Sequence, residues 1–83
     1  MTRYIYAPVA TEKSMMQTER ENKITFIVDR KATREEIKKE VEERFAVKVT
    51  EVNVMITKKG KKAVVRLDDS VSAEEFAGRI GIF

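Results

Sequence analysis

Two alternating apolar runs separated by a glycine constrain the fold of this chain more than any other feature. Every second residue of each run is apolar, which places one set of side chains on one face of a strand. The rows are Val52, Val54 and Ile56 of residues 49–57, then Ala63, Val65 and Leu67 of residues 63–67. Gly60 lies between the runs and can adopt the positive φ that a tight loop needs. The pattern predicts a β-hairpin, with a bulge near Glu51 because Val47 and Val49 are out of phase with the first row.

The turn of this hairpin is dense in positive charge. Four lysines flank the glycine and an arginine follows on the return strand: Lys58, Lys59, Lys61, Lys62 and Arg66. Because like charges this close repel one another, the cluster does not favour folding, whereas a nucleic-acid backbone would attract it. A solvated turn that keeps the protein soluble is the alternative. The turn is therefore a candidate phosphate-binding surface.

Two more strands are predicted nearer the amino terminus. Residues 3–7 form a β-prone run that Pro8 ends. Residues 23–29 alternate, which predicts a central strand. Its apolar row is Ile24, Phe26 and Val28. A loop with Arg30 and Lys31 follows it and adds two positive charges.

The first helix is predicted directly after residue 10. Thr11 can cap it by accepting hydrogen bonds from backbone N–H groups, and Glu12 then lies in the first turn, where the helix dipole favours a negative charge. We expect this helix to reach about Arg20, with Met15 and Met16 as its buried side chains.

Capping boxes begin the other two helices. Thr33 and Ser72 are each followed three residues later by a glutamate, so hydroxyl and carboxylate can satisfy reciprocal backbone donors. The apolar stripe of the second helix is Ile37, Val41 and Phe45. Gly81 is placed to end the third helix. The terminal Ile82 and Phe83 are expected to fold back against the sheet, with docking to a partner as the alternative.

These elements predict a small α+β domain over residues 1–83 with the order β-α-β-α-β-β-α. The four strands are expected to form a mainly antiparallel sheet in a two- to three-layer arrangement. The stripe that begins at Ile37 is expected to pack on its apolar face.

Composition argues against an enzyme. Cysteine and histidine are absent, which removes thiolate chemistry, the usual general base and the commonest metal ligand. Paired carboxylates occur, but two of the pairs lie in helix first turns, where acidic residues stabilise the helix. We therefore expect no cofactor and no metal. The chain has no apolar run of membrane-spanning length and no signal peptide pattern, which predicts a cytoplasmic protein.

The net charge of +3 is unevenly distributed. Residues 48–67 hold six Lys or Arg and one Glu, a balance of +5, whereas residues 68–83 hold one Arg and four acids, a balance of −3. Phe26 is the sole aromatic of the three later strands and belongs to the core row, so stacking on bases is not expected. Contact with phosphates is predicted instead, with Lys13, Arg30 and Lys31 as further candidates.

Four segments in order resemble the ribosomal protein L23 family of the large subunit. They are Pro8 to Ser14, Asn22 to Val28, Lys61 to Leu67, and Ala77 to Phe83, the last similar to the archaeal branch. The resemblance covers nearly the whole chain. It implies a structural protein that binds large-subunit ribosomal RNA near the exit of the peptide tunnel, beside ribosomal protein L29.

The resemblance also implies a docking surface for factors that meet nascent chains, chiefly the signal recognition particle. The family's docking glutamate matches Glu12, for which a plain helix-dipole role is the alternative. The hairpin turn, Thr57 to Lys62, is too short for the tunnel-lining extension of bacterial members. Two other classes of function remain open from the residues: a free-standing RNA-binding regulator, and a protein adaptor that uses the acidic carboxyl-terminal end.

Overall fold

The computed structural model describes residues 3–58 and 60–81, and these form the predicted elements in the predicted order. The strands are β1 (Ile5–Pro8), β2 (Lys23–Val28), β3 (Val49–Thr57) and β4 (Gly60–Leu67). The helices are α1 (Glu12–Glu21), α2 (Arg34–Phe45) and α3 (Ala73–Ile80). The α+β class is confirmed. The expectations for Lys59, Ile82 and Phe83 fall outside the described residues.

The four strands form one antiparallel sheet in the order β1-β2-β4-β3. The β3–β4 register shifts between Val49 and Glu51, which confirms the predicted bulge. A second shift lies in β1 between Ile5 and Ala7. Gly60 has φ 134° beside the turn, in the region that favours glycine, as the hairpin pattern predicts.

The core lies on one face of the sheet, under α2 and α3. The alternating rows of β2 and β4 and the Val52 and Val54 part of the β3 row meet the stripe of α2 and the apolar side of α3 there. Ile56, predicted in the same β3 row, is instead 76% exposed, because it lies near the hairpin turn, beyond the core cluster. Phe45 stacks on Phe26 with ring centroids 6.1 Å apart and meets the edge of Phe76 at 5.0 Å. The predicted packing of the α2 stripe against the sheet is thus confirmed.

Helix α1 departs from its predicted packing. Its buried residues are Ser14 and Thr18, whereas Met15 is half-buried and Met16 is 45% exposed, so the expectation for the methionines is wrong. The hydroxyl of Thr18 donates to the carbonyl oxygen of Lys23 at 2.8 Å. The Ser14 hydroxyl donates to the carbonyl oxygen of Val9 at 3.0 Å, so both buried hydroxyls of α1 have partners and small polar side chains can face inward there.

The helix caps follow the sequence closely. Thr11 caps α1 and Thr33 begins a complete capping box on α2, as predicted. The Ser72 hydroxyl accepts from the N–H of Glu75 on α3, which is one half of the box predicted there. Gly81 ends α3 at φ 86°, as predicted.

Asn22 joins three elements at the end of the sheet opposite the hairpin turn. It has a left-handed conformation, φ 58°, and ends α1. Its Nδ2 lies 3.2, 3.2 and 2.8 Å from the carbonyl oxygens of Leu67, Asp68 and Val71. Its Oδ1 accepts from the N–H of Ala73 at 2.8 Å. One side chain therefore connects the end of α1 to the end of β4 and the start of α3.

Candidate nucleic-acid interface

The strand register brings two basic segments together at one end of the sheet. Lys61 at the start of β4 pairs with Val28, the last residue of β2, and with Ile56 near the end of β3. The loop that leaves β2 therefore lies beside the turn of the hairpin. We call this region the hairpin end; it comprises residues 29–32, 58 and 60–62.

The cations of the hairpin end differ in exposure and direction. The side chains of Arg30, Lys31 and Lys58 are exposed, and that of Lys62 is half-buried. Lys62 pairs with Ile27 and Met55, on the sheet face opposite the core. Positive charge is thus present on the loop, on the turn and on the sheet face opposite the core.

Lys61 faces the other way. It belongs to the same row of β4 as Ala63, which is buried in the core. Its Nζ lies 2.6 Å from the carbonyl oxygen of Ala32 and 3.5 Å from that of Arg30. The ammonium group of Lys61 is therefore directed at the protein's own backbone.

The Asp29 carboxylate shapes the basic loop. Its Oδ1 accepts from the backbone N–H of Lys31 at 2.8 Å, and its Oδ2 accepts from the hydroxyl of Tyr6 at 2.6 Å. These hydrogen bonds, that from Tyr6 first, lower the pKa of Asp29 below its usual value, and the same bond raises the pKa of Tyr6. Sequence reasoning missed this network, although an Asp at the head of a turn is the signal for such a carboxylate-backbone bond.

The other predicted contact residues lie elsewhere. Arg66 is exposed and pairs with Lys23 and Glu51, five residues along β4 from Lys61 and about 17 Å from it at 3.3 Å per residue. Lys13 is exposed on α1. The structure therefore unites Arg30, Lys31, Lys58, Lys61 and Lys62 but not Lys13 or Arg66.

Glu12 lies in the first turn of α1 and is exposed. Thr11 and Ser14 satisfy the backbone donors of this helix start through a reciprocal pair of hydrogen bonds. The Glu12 carboxylate is thus presented to solvent on a segment separate from the hairpin end.

Two ion pairs form within residues 3–58 and 60–81, between Lys23 and Glu21 and between Arg44 and Glu40. Neither includes a cation of the hairpin end. In the same residues no acidic cluster could hold a metal ion, and no helix is both long and apolar enough to cross a membrane. The hairpin end therefore carries more positive than negative charge: Asp29 is the one carboxylate among its described residues, and it forms no ion pair with the cations there.

Comparisons with known proteins agree with the resemblance. The family model described as Ribosomal protein L23 matches residues 3–75. A relative from Picrophilus torridus, named Large ribosomal subunit protein uL23, is 61% identical over 80 residues, covering 96% of this chain and 98% of the relative. Proteins of the same name from Thermoplasma acidophilum and Methanococcus vannielii are 62% and 45% identical, each covering 95% of this chain and 94% and 93% of the relatives. The chain therefore belongs to the ribosomal protein L23 family, a family of structural proteins rather than enzymes, and its similarity is to the archaeal members.

Proposed function

We propose that this protein is a structural constituent of the large ribosomal subunit in the cytoplasm, where its hairpin end binds phosphates of ribosomal RNA. The convergence of Arg30, Lys31, Lys58 and Lys62 on one end of the sheet carries the proposal. The names of the archaeal relatives support the ribosomal setting. The sequence places Lys59 in the same turn, and Lys13 and Arg66 are proposed as separate, weaker contacts.

Electrostatics explains why such a surface suits RNA. A cation whose charge no neighbour neutralises releases condensed counterions when it contacts a phosphate, which favours binding without reading any base. Contacts between lysine side chains and phosphates therefore depend on the course of the RNA backbone and not on the base sequence. An RNA whose fold brings phosphates to the spacing of the loop and the turn is therefore the partner that we infer.

The first test compares two double variants with equal loss of charge. We expect Lys58→Gln with Lys62→Gln to lower the slope of log K against log salt by roughly 0.7–0.9 per lost contact, and affinity by about five- to eightfold per contact at 0.1 M salt. Lys38→Gln with Lys39→Gln removes two exposed lysines from α2 and is the control. Binding of transcribed large-subunit RNA is measured at several salt concentrations. Equal slopes in the two variants would exclude the hairpin end as the RNA contact.

A second test asks whether the native protein is an integral component. Large subunits are sedimented from the source cells before and after a high-salt wash. Because loosely held factors depend on salt-sensitive contacts, retention after the wash is expected for an integral protein. Its release from the washed subunits would contradict the structural assignment.

We also propose that the protein lies at the tunnel exit beside ribosomal protein L29 and docks the signal recognition particle through Glu12. The exposure of Glu12, on a segment separate from the hairpin end, supports this division of surfaces. Glu12→Gln is expected to leave incorporation into subunits unchanged and to weaken binding of the particle. Glu19→Gln, at another exposed position of α1, is the control. Equal affinity of both variants for the particle would remove Glu12 from the docking surface.

A further inference from the structure

Lys61 differs from the other lysines of the hairpin end in what its charge contacts. Its Nζ lies 2.6 Å from the carbonyl oxygen of Ala32 and 3.5 Å from that of Arg30. Its side chain is half-buried, whereas that of Lys58 is exposed. A lysine that already donates to backbone carbonyls must break those bonds before it can contact a phosphate.

The carbonyls that Lys61 contacts belong to the loop that displays Arg30 and Lys31. Ala32 is 1% exposed within the core, so its carbonyl is a fixed point rather than part of a mobile surface. The N–H of Ala32 also donates to the carbonyl oxygen of Asp29 at 3.1 Å, which closes the loop into a turn. Lys61 therefore connects the backbone of the loop to β4.

The Asp29 carboxylate holds the same loop from the other side. It accepts from the N–H of Lys31 at 2.8 Å and from the hydroxyl of Tyr6 on β1. The loop is thus fixed between an anion and a cation, both of which contact its backbone. This arrangement leaves the side chains of Arg30 and Lys31 free to point into solvent, where both are exposed.

We propose that Lys61 is a positioning residue for RNA binding and not itself a phosphate contact. By fixing the loop 29–32 against the start of β4, it keeps Arg30 and Lys31 beside Lys58 and Lys62, so that all four cations meet one RNA backbone. Preorganised cations bind more tightly than mobile ones because less conformational entropy is lost on binding. The RNA part of this inference rests on the proposed function, whereas the effect on the loop does not.

The first measurement uses the protein without RNA. Lys61→Met keeps the length of the side chain and removes its charge, and Lys62→Met is the matched control on the outward row. We expect faster amide hydrogen exchange at Lys31 and Ala32 in Lys61→Met than in the control, because the loop opens more often. Exchange at these two amides that is unchanged in Lys61→Met would overturn the positioning role, whatever happens with RNA.

The second measurement is a mutant cycle on binding of transcribed large-subunit RNA. In the otherwise unchanged chain, Lys61→Met is expected to weaken affinity by about five- to eightfold at 0.1 M salt, the effect of roughly one lost contact. In a chain that already carries Arg30→Gln and Lys31→Gln, the same change is expected to alter affinity by less than about twofold, because the cations it positions are gone. Lys62→Met should weaken binding equally in both chains.

The outcomes separate this inference from the proposed function. An equal loss from Lys61→Met in both chains would mean that Lys61 contacts phosphate directly, which overturns the inference and retains the RNA-binding surface. If neither Lys62→Met nor the Arg30 and Lys31 changes affect binding, the proposed RNA surface is wrong. Loop exchange in the free protein would then still report whether Lys61 holds the loop.

Discussion

The two ends of the sheet differ in how much positive charge they present to solvent. At the Asn22 end, which comprises Asn22, Ala46 and residues 68–73, backbone and side-chain groups bond to one another across long sequence distances. At the hairpin end, the side chains of Arg30, Lys31 and Lys58 are exposed to solvent and belong to neither of the two ion pairs of the described residues. Asp29 and Lys61 join elements at the hairpin end too, and this end in addition displays exposed cations.

The contrast separates stability from binding within one small sheet. The hydrogen bonds at the Asn22 end stabilise the fold because their donors and acceptors would otherwise be left without partners. An exposed cation adds little to stability, since water already solvates it. We therefore expect substitutions at the Asn22 end to change stability and those of the exposed cations at the hairpin end to change RNA binding.

The largest expected effect is the loss of stability in Asn22→Ala. Alanine cannot replace the bonds to Val71 and Ala73, and it strains the left-handed conformation at φ 58°. We expect a loss of about 3 kcal/mol, combining about 1 kcal/mol of backbone strain with the lost hydrogen bonds. Thermal unfolding measures it, with a fall in Tm of roughly 12–24 °C.

Asn22→Gly is the control because glycine accepts the left-handed conformation. It should therefore lose less stability than the alanine variant by about 1 kcal/mol. The salt slope of RNA binding should be unchanged in both variants. A loss of less than about 1 kcal/mol in the free energy of unfolding of Asn22→Ala would show that the Asn22 hydrogen bonds do not stabilise this end of the sheet.

A smaller effect of opposite sign is expected at Ala46, which ends α2 in a left-handed conformation with φ 55°. Alanine is strained there and glycine is not, so Ala46→Gly is expected to stabilise the protein by about 0.5–1 kcal/mol. Lys39→Gly within α2 should instead destabilise it by about 1 kcal/mol. Denaturant unfolding distinguishes the two, and destabilisation by Ala46→Gly would contradict the strain argument.

A still smaller change in stability is expected from Lys58→Gln at the hairpin end. Since the side chain is exposed, the free energy of unfolding should stay within about 0.5 kcal/mol of the unchanged chain. The measurement is the midpoint of urea unfolding. A loss above about 1 kcal/mol would mean that the hairpin end contributes to stability, and the contrast between the ends would fail.

The smallest expected effect concerns the pKa of Asp29. The hydroxyl of Tyr6 donates to its carboxylate and lowers the pKa of Asp29, so Tyr6→Phe should raise that pKa towards its usual value. A lowered folded-state pKa stabilises the protein above the unfolded-state pKa, and this contribution is lost as pH falls through the folded value. The two proteins should therefore differ near neutral pH and converge in strong acid.

Titration of the Asp29 carboxyl signal by NMR measures this shift directly. Tyr4→Phe is the control, because the hydroxyl removed there is not the one that bonds to Asp29. An Asp29 pKa that is the same with and without the Tyr6 hydroxyl would show that the hydrogen bond does not set it.

Local patterns predicted most of the fold. Alternation identified β2, β3 and β4, the cap residues Thr11 and Thr33 located two helix starts, and the phase change near Glu51 located the bulge. Each of these signals depends on residues close together in the chain, so it can be recognised from the sequence alone. Met16 shows the limit of such local signals. An apolar side chain on a short helix is buried only if another element covers it, and Met16 remains 45% exposed.

Long-range polar contacts were not predictable in this way. Glu40 on α2 accepts from the backbone N–H groups of Tyr4 and Ile5, so a charged residue outside the predicted apolar stripe anchors β1. Glu42 accepts from the N–H of Val49 at 3.0 Å, a contact between residues only seven apart that the helix pattern also did not reveal. Nothing near these glutamates in the chain indicates such partners, because the strands that supply the donors are placed only by the completed sheet.

The sequence by itself determined the order of the elements, the apolar face of the sheet and the presence of a basic turn, since each depends on residues close together in the chain. Only the tertiary structure decided which cations lie together. It brought Arg30 and Lys31 beside Lys58 and Lys62, placed Arg66 at the other end of β4, and directed Lys61 at backbone carbonyls. The physical reason is that strand register, which fixes these neighbours, depends on the packing of the whole sheet.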